Sequence, residues 1–477
     1  MNLRKMISEI LRVSLSNIST LISGVFVGFV IPKILGSFEY GYYKIFTLYA
    51  TYIGLFTFGI SEGLYLKYSG TSYDDLNKKR IRFFTKLFMI IQLIIALAMV
   101  LLAILFAKGE YKFIVITLAV YLIELNITTY YQYIAQMTMR FSDYAIRNFV
   151  KTILTIIAVA CMLLIYFMEN KNSISYKYYV ALTLIISTIL FIMYFRKFKD
   201  ITIGISDSLT DGKKELNEII GLGVPFLLAS LCSTLILNID KQFVSVLFAP
   251  SVYGIYAFAY SMLTLVTLCT SAISTVLYPS LKRVSKDNLA DNFCMISSIV
   301  LVFVFFMMLS YFPLTIVVKW FLPKYTYSLD IFRIVFPGLA FTSVINVVFQ
   351  NFYKLLEKNA LFLKLNIFIL LLSIIANFVA YYLFKTPSAI SYASIAVLFI
   401  YYNVAELYFR KNFHIKWKKN LGYILLLGGG FYLITSISNI IISAIMYILY
   451  FLIMTKFIMP ETFVYLKKLL KSKGKKI

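Results

Sequence analysis

Apolar runs of about twenty residues recur from one end of this sequence to the other, and that is the length a helix needs to cross a bilayer. The stretch from Phe83 to Phe106, FFTKLFMIIQLIIALAMVLLAILF, carries Lys86 as its only charge. In hydrocarbon every backbone N–H and C=O must find a partner inside the protein, so runs of this kind are expected to be helices. Across 477 residues the chain is 61% hydrophobic and 14% charged, with mean hydropathy +0.85. That is too little charge to coat a soluble surface. The expected fold class is an all-α polytopic membrane protein with about 14 transmembrane helices.

The expected spans are 11–31, 43–66, 83–106, 112–135, 144–167, 177–195, 219–244, 254–278, 292–318, 330–353, 361–384, 389–409, 421–437 and 439–458. Most of the 46 lysines and arginines fall in alternate connections and in the tail from Lys467. This bias predicts that both termini are cytoplasmic and accounts for the formal charge of +25 without a polyanionic partner, so no nucleic acid is expected. The basic tail would lie on lipid headgroups. The basic start MNLRKMISEILR leads into a run of full spanning length without a small-residue cleavage site, so no removable signal peptide is expected.

Gly221 to Tyr256 repeats the opening of the chain. With Tyr253-Gly254 laid on Tyr40-Gly41, a long apolar run, a short turn and a further apolar run coincide. Two similar halves with polar residues at membrane depth are the usual sign of a transporter. The expected division is an amino-terminal six-helix lobe (1–200), a cytoplasmic linker (201–218), a second six-helix lobe (219–410), and two extra helices with a basic tail (411–477).

No constellation for catalysis is visible. Cys161, Cys232, Cys269 and Cys294 lie within apolar runs, His414 stands alone among cations, and no phosphate-loop motif occurs. No enzyme, cofactor or metal site is therefore expected. The polar residues inside spans remain. Arg12, with Asn17 beside it, opens a polar stripe on the first span, although Arg12 could equally snorkel to the interface. Lys44 lies near the outer end of the second span. On the fourth, Gln132 and Gln136 share a face among tyrosines. They suit sugar hydroxyls, and equally bond between helices. Arg140, Arg147 and Lys151 repeat along the fifth span, with Lys364 as the counterpart in the second half. Such cations fit either a phosphate or the inside-positive rule. The intramembrane acids Glu62, Glu124 and Asp240 are candidates for ion coupling, with a Glu62–Lys67 ion pair as the structural alternative.

The segment IPKILGSFEYGYYKIFTLYATYIGLFTFGISEGLYLKYSG resembles the start of bacterial polysaccharide flippases of the O-antigen (Wzx) type. The residues that carry the resemblance are Leu35, Gly36, Tyr40, Gly41, Gly59, Gly63, Tyr68 and Gly70, with Gly223, Pro225, Asp240, Tyr253, Gly254 and Tyr256 opening the second half. Ala249-Pro250 departs from the Leu-Gly turn of the first half. The resemblance implies the multidrug/oligosaccharidyl-lipid/polysaccharide exporter fold, alternating access and a bacterial cytoplasmic membrane. The implied substrate is a polyprenyl-diphosphate-linked glycan moved between leaflets, with membrane lipids and other polysaccharide-assembly membrane proteins as partners. A lipid II flippase and a cation-coupled multidrug exporter share the fold and remain alternatives.

Overall fold

The protein, seen as a computed structural model, is described over residues 3–169, 173–281, 289–413 and 419–462. The side chains of residues 3–22 and of several positions in 265–281 are not described. All secondary structure among the described residues is helical. In order the helices are α1 (Leu3–Ala50), α2 (Ile60–Tyr68), α3 (Lys78–Phe106), α4 (Gly109–Met137), α5 (Phe141–Glu169), α6 (Tyr176–Lys197), α7 (Leu209–Ile236), α8 (Ile239–Leu247) and α9 (Pro250–Leu281). They continue with α10 (Leu289–Met307), α11 (Tyr311–Phe321), α12 (Ser328–Val335), α13 (Gly338–Ser343), α14 (Gln350–Leu355), α15 (Asn359–Phe384), α16 (Pro387–Asn412), α17 (Lys419–Ile434) and α18 (Ile440–Ile458).

Among the described residues nine helices are long and apolar enough to cross a membrane, and the bent pair from Ser328 to Leu355 makes a tenth if it is one span. The expected count of about 14 is thus not established. The other four expected spans fall on α1, on the end of α1 with α2, on α9 and on α17. Two of these have a local cause. α2 is only 9 residues long because the span containing it is broken, and α17 has only 16 residues.

Two compact units divide the chain: Met1–Asn238 with Phe248–Gly254, and Ile239–Leu247 with Ile255–Ile477. In the first, α1 turns at Gly36, whose φ of 71° is open to glycine and strained for other residues. The second expected span is interrupted between Ala50 and Ile60. There Phe58 and Gly59 are left-handed and a 3-10 turn covers Ile53–Thr57. A broken helix at membrane depth frees carbonyls that hydrocarbon cannot satisfy. Polar side chains from α3 and α4 supply the partners. Gln92 donates to the Phe56 carbonyl at 2.8 Å, and Asn126 donates to the Ile53 carbonyl at 3.2 Å and to Gln92 Oε1 at 2.7 Å.

Glycines set two close helix crossings in this unit. A Cβ on Gly41 would lie 1.8 Å from the Pro250 carbonyl oxygen, and one on Gly254 would lie 2.2 Å from the Ser37 carbonyl oxygen. The contact is reciprocal: each Tyr-Gly glycine faces the carbonyl four residues before the other. The sequence alignment of the two Tyr-Gly turns pairs these same glycines. α2 and α7 cross in the same way, Gly223 against the Gly59 carbonyl and Gly63 against the Ile219 carbonyl.

α7 begins at Leu209, earlier than the expected span, and ends at Ile236. The connection before it folds back onto α3, and the first turns of α7 onto α2. Arg80 pairs with Asp207 at 2.7 Å, Lys78 with Asp200 at 2.9 Å, and Lys67 with Glu215 at 3.0 Å and Glu218 at 2.8 Å. Lys67 is therefore engaged away from Glu62, and the Glu62–Lys67 pair of the sequence analysis does not form. Glu62 instead accepts from the Thr57 hydroxyl at 3.1 Å.

In the second unit α10, α14 and α16 meet around Phe293, whose ring lies 4.7 Å from Phe409 and 5.2 Å from Phe352. A π-helical turn at Val344–Phe349 joins α13 to α14. Arg333 of α12 holds the end of α17, donating to Thr435 Oγ1 at 2.9 Å and to the Tyr432 carbonyl at 2.5 Å.

Candidate functional site: a cationic cavity

A cavity of about 420 Å³ opens inside the first unit between α1, α4, α5 and α6. α5 supplies its cations. Arg147 and Lys151 are four residues apart, so an α-helix presents them on one face, with Thr155 one turn further on. α4 contributes Gln132, Thr128 and Tyr121 from its own face, α1 contributes Tyr43 and Thr47, and α6 contributes Tyr179, Thr183 and Tyr194. No aspartate or glutamate lies among the lining residues.

Arg147 is 6% exposed and is held on three sides. Nη1 donates to the Asp143 carbonyl at 2.9 Å, Nη2 donates to the Met193 carbonyl at 3.2 Å, and the guanidinium carbon lies 4.2 Å from the Tyr194 ring centre. Its Nε is buried without a hydrogen-bond partner among the described residues. Backbone carbonyls and a ring face fix the planar group, and one buried donor stays unused. Lys151 has no ion-pair partner among the described residues. Two cations facing a pocket lined by two amides (Gln132 and Asn148), hydroxyls and four tyrosines (Tyr43, Tyr121, Tyr179 and Tyr194) can bind an anion through charge and a polyhydroxylated group through rings and hydrogen bonds.

Of the residues read from sequence, the structure brings Gln132, Arg147 and Lys151 together on this cavity. Arg140 lies just before α5, about two helical turns from Arg147, and is not among the lining residues. Its Nε donates to Asp143 Oδ2 at 2.8 Å, and its guanidinium packs against the neighbouring rings of Tyr73 at 4.5 Å and Phe198 at 5.2 Å. Lys44 sits beside the rings of Tyr40 and Tyr43 at 5.2 and 6.0 Å and is not among the lining residues. Lys364 is exposed on α15 in the second unit. The side chains of Arg12 and Asn17 lie outside the described residues.

Among the acids, Glu124 is buried next to the cavity. It accepts from Thr188 at 2.5 Å, and its Oε2 has no hydrogen-bond partner among the described residues. Asp240, in the first turn of α8, accepts from Tyr256 at 3.0 Å and from Tyr260, while Lys241 Nζ lies 4.7 Å from the Tyr260 ring centre. The two adjacent charges thus share one tyrosine, the acid taking its hydroxyl and the cation its face. No group of three or more His, Cys, Asp or Glu able to hold a metal occurs among the described residues.

The sequence reading missed Asp143. Its place three residues after Arg140 and four before Arg147 was the available signal, since residues at those spacings are neighbours on a helix. Thr155 extends the Arg147–Lys151 face by the same rule.

The model of the polysaccharide biosynthesis protein family matches residues 6–285, more than half of the chain. The chain belongs to that family. Its fold is that of known transporters. The lipid II flippase MurJ in an inward-closed conformation superposes with TM-score 0.64 at 15% identity, covering 95% of this chain and 99% of that one. An inward-facing multidrug resistance MATE family transporter of the MOP superfamily superposes with TM-score 0.59 at 13% identity, over 85% of this chain and 98% of that one. A MOP superfamily transporter from Pyrococcus furiosus reaches 0.52 at 13% identity, over 85% and 95%. No curated protein sequence matches the chain. These neighbours are described as a flippase and as transporters. This polysaccharide biosynthesis protein is therefore a multi-pass membrane protein with the MurJ/MATE fold.

Proposed function

We propose that this protein moves a polyprenyl-diphosphate-linked oligosaccharide from the inner to the outer leaflet of a bacterial cytoplasmic membrane, with both termini cytoplasmic. The cavity on α5 receives the diphosphate. The observation that carries the reading is the lining itself: Arg147 and Lys151 face a space that contains no carboxylate. An ionised phosphate at membrane depth needs such partners, because an unpaired charge there is expensive. Gln132 and the tyrosines serve the first sugars, and the polyprenyl tail stays in lipid. Arg12, Asn17, Lys44, Arg140 and Lys364 assist in other states of an alternating-access cycle between two six-helix lobes. Glu62, Glu124 and Asp240 are the acids through which an ion gradient would act, Glu124 first because it adjoins the cavity and its Oε2 has no hydrogen-bond partner among the described residues.

A lipid II flippase would use the same cavity, since its substrate has the same diphosphate. The cation-coupled drug exporter is disfavoured by the lining, because a cationic drug would meet two like charges. The test is transport into liposomes containing the purified protein. Flipping of a polyprenyl-diphosphate glycan that is lost in Arg147→Ala supports the reading. Flipping that survives Arg147→Ala together with Lys151→Ala overturns the assignment of the cavity. Competition between short-glycan substrates and lipid II separates the two lipid readings.

A further inference from the structure

Asp143 lies at the hub of three cations just beyond the cavity. Its Oδ2 accepts from Arg140 Nε at 2.8 Å, its Oδ1 lies 3.3 Å from Lys197 Nζ, and the same Oδ1 is 3.9 Å from Arg147 Nη1. The three distances rank the attachments. Arg140 is hydrogen-bonded and Lys197 is a close ion pair. Arg147 is beyond hydrogen-bond reach of the carboxylate and feels only its charge. The orientation of Arg147 comes from elsewhere, from the carbonyls of Asp143 and Met193 and from the Tyr194 ring. The carboxylate side chain is therefore not what aims the guanidinium at the cavity. What it supplies is negative charge beside a cation that is 6% exposed, which in the empty site would otherwise stand uncompensated.

We propose that Asp143 is the resident counter-charge of the cavity: it balances Arg147 while the site is empty and competes with the incoming phosphate for that cation. This rests on the reading of the cavity as a diphosphate site. The loose attachment makes Arg147 the cation that can be handed over, while Arg140 and Lys197 stay with the carboxylate. A site that held its diphosphate with an uncompensated cation would bind tightly and release slowly, and a flippase has to release. Asp143 sets that balance as a charge-tuning residue outside the cavity wall.

Removing the negative charge should therefore strengthen anion binding, whereas loss of a residue that merely held the structure together would weaken it. The experiment is calorimetric titration of inorganic pyrophosphate into the purified full-length protein in detergent, for wild type, Asp143→Asn, Asp143→Ala and Arg147→Gln. Asp143→Asn is expected to bind roughly tenfold more tightly than wild type, Asp143→Ala in the same direction, and Arg147→Gln to lose binding. Two variants guard against one failing to fold, and thermal melting identifies folded samples. If folded Asp143 variants bind as wild type does, or more weakly, while Arg147→Gln has lost binding, the counter-charge role is overturned and the cavity stands. Binding that is unchanged in Arg147→Gln, or absent in wild type, overturns the cavity and the counter-charge together.

Discussion

Gly41 and Gly254 each present a bare backbone to the other's helix, and a methyl group on Gly41 would stand 1.8 Å from a carbonyl oxygen of the facing helix. Helix association in a membrane relies on close packing, because lipid tails are as apolar as the side chains they would replace. Gly41→Ala must therefore push α1 and α9 apart. It is expected to lower the yield of monodisperse protein in detergent by severalfold. Gly28→Ala is the control, since nothing lies within 4 Å of the Cβ it would add. Equal yields for the two variants would contradict the crossing.

Arg147 owes part of its placement to Tyr194. A buried cation–ring pair contributes about 2 kcal/mol. Tyr194→Leu is expected to reduce transport by about tenfold, the change that corresponds to 1.4 kcal/mol, while Tyr194→Phe keeps the ring and most of the rate. Liposome flipping rates at matched protein density check both.

The fork of Arg147 serves two carbonyls at once, and an ammonium group cannot reproduce that geometry. Arg147→Lys should therefore behave like Arg147→Ala in the transport assay, with normal abundance in the membrane. Lys151→Arg keeps a positive charge at a position without such constraints and should retain activity.

Gln92 and Asn126 are coupled through the broken second span. Replacing either with leucine leaves a buried carbonyl unsatisfied, at about 1–3 kcal/mol. Thermal melting should show each single variant destabilised and the double variant destabilised by less than the sum, because each has already lost the amide–amide bond.

Outside the membrane, Asp200 gives a pH signature. Burial acts to raise the pKa of its carboxyl, but hydrogen bonds from Tyr73 at 2.6 Å and Lys78, together with the lysine charge, outweigh it and hold the value below the ordinary carboxylate range. A lowered folded-state pKa stabilises the fold above the unfolded value, about 3.9. That stabilisation is lost as pH falls through the lower folded value. Wild type should melt higher than Asp200→Asn at pH 7, and the difference should shrink as pH drops below about 4. A difference that grows with acid would contradict the sign.

The face of α5 was legible because helical spacing places Arg147 and Lys151 together whatever surrounds them. Gln132 was legible for the same reason on α4. Arg140 continues the same stripe, yet packs against Tyr73 and Phe198, because sequence does not reveal which end of a stripe the neighbouring elements cover. Lys67 illustrates the same limit: Glu62 was near in sequence, but Glu215 and Glu218 were brought to it by the fold. The break between Ala50 and Ile60 was hidden because the stretch, with its threonines and glycines, is still apolar enough to read as part of one span. Hydropathy records composition and is blind to the left-handed torsions at Phe58 and Gly59. The amides that heal the break, Gln92 and Asn126, lie in apolar runs whose sequence does not show which carbonyls they reach.

Arg147 takes one carbonyl from its own helix and one from α6. Its aim is therefore a gauge of the distance between those two helices. If α6 slid along α5 by little more than the slack in a 3.2 Å hydrogen bond, the guanidinium would turn toward whichever acceptor remained. A shift too small to change the outline of the cavity would thereby alter the direction in which its charge points, and with it the moment at which a bound anion is let go.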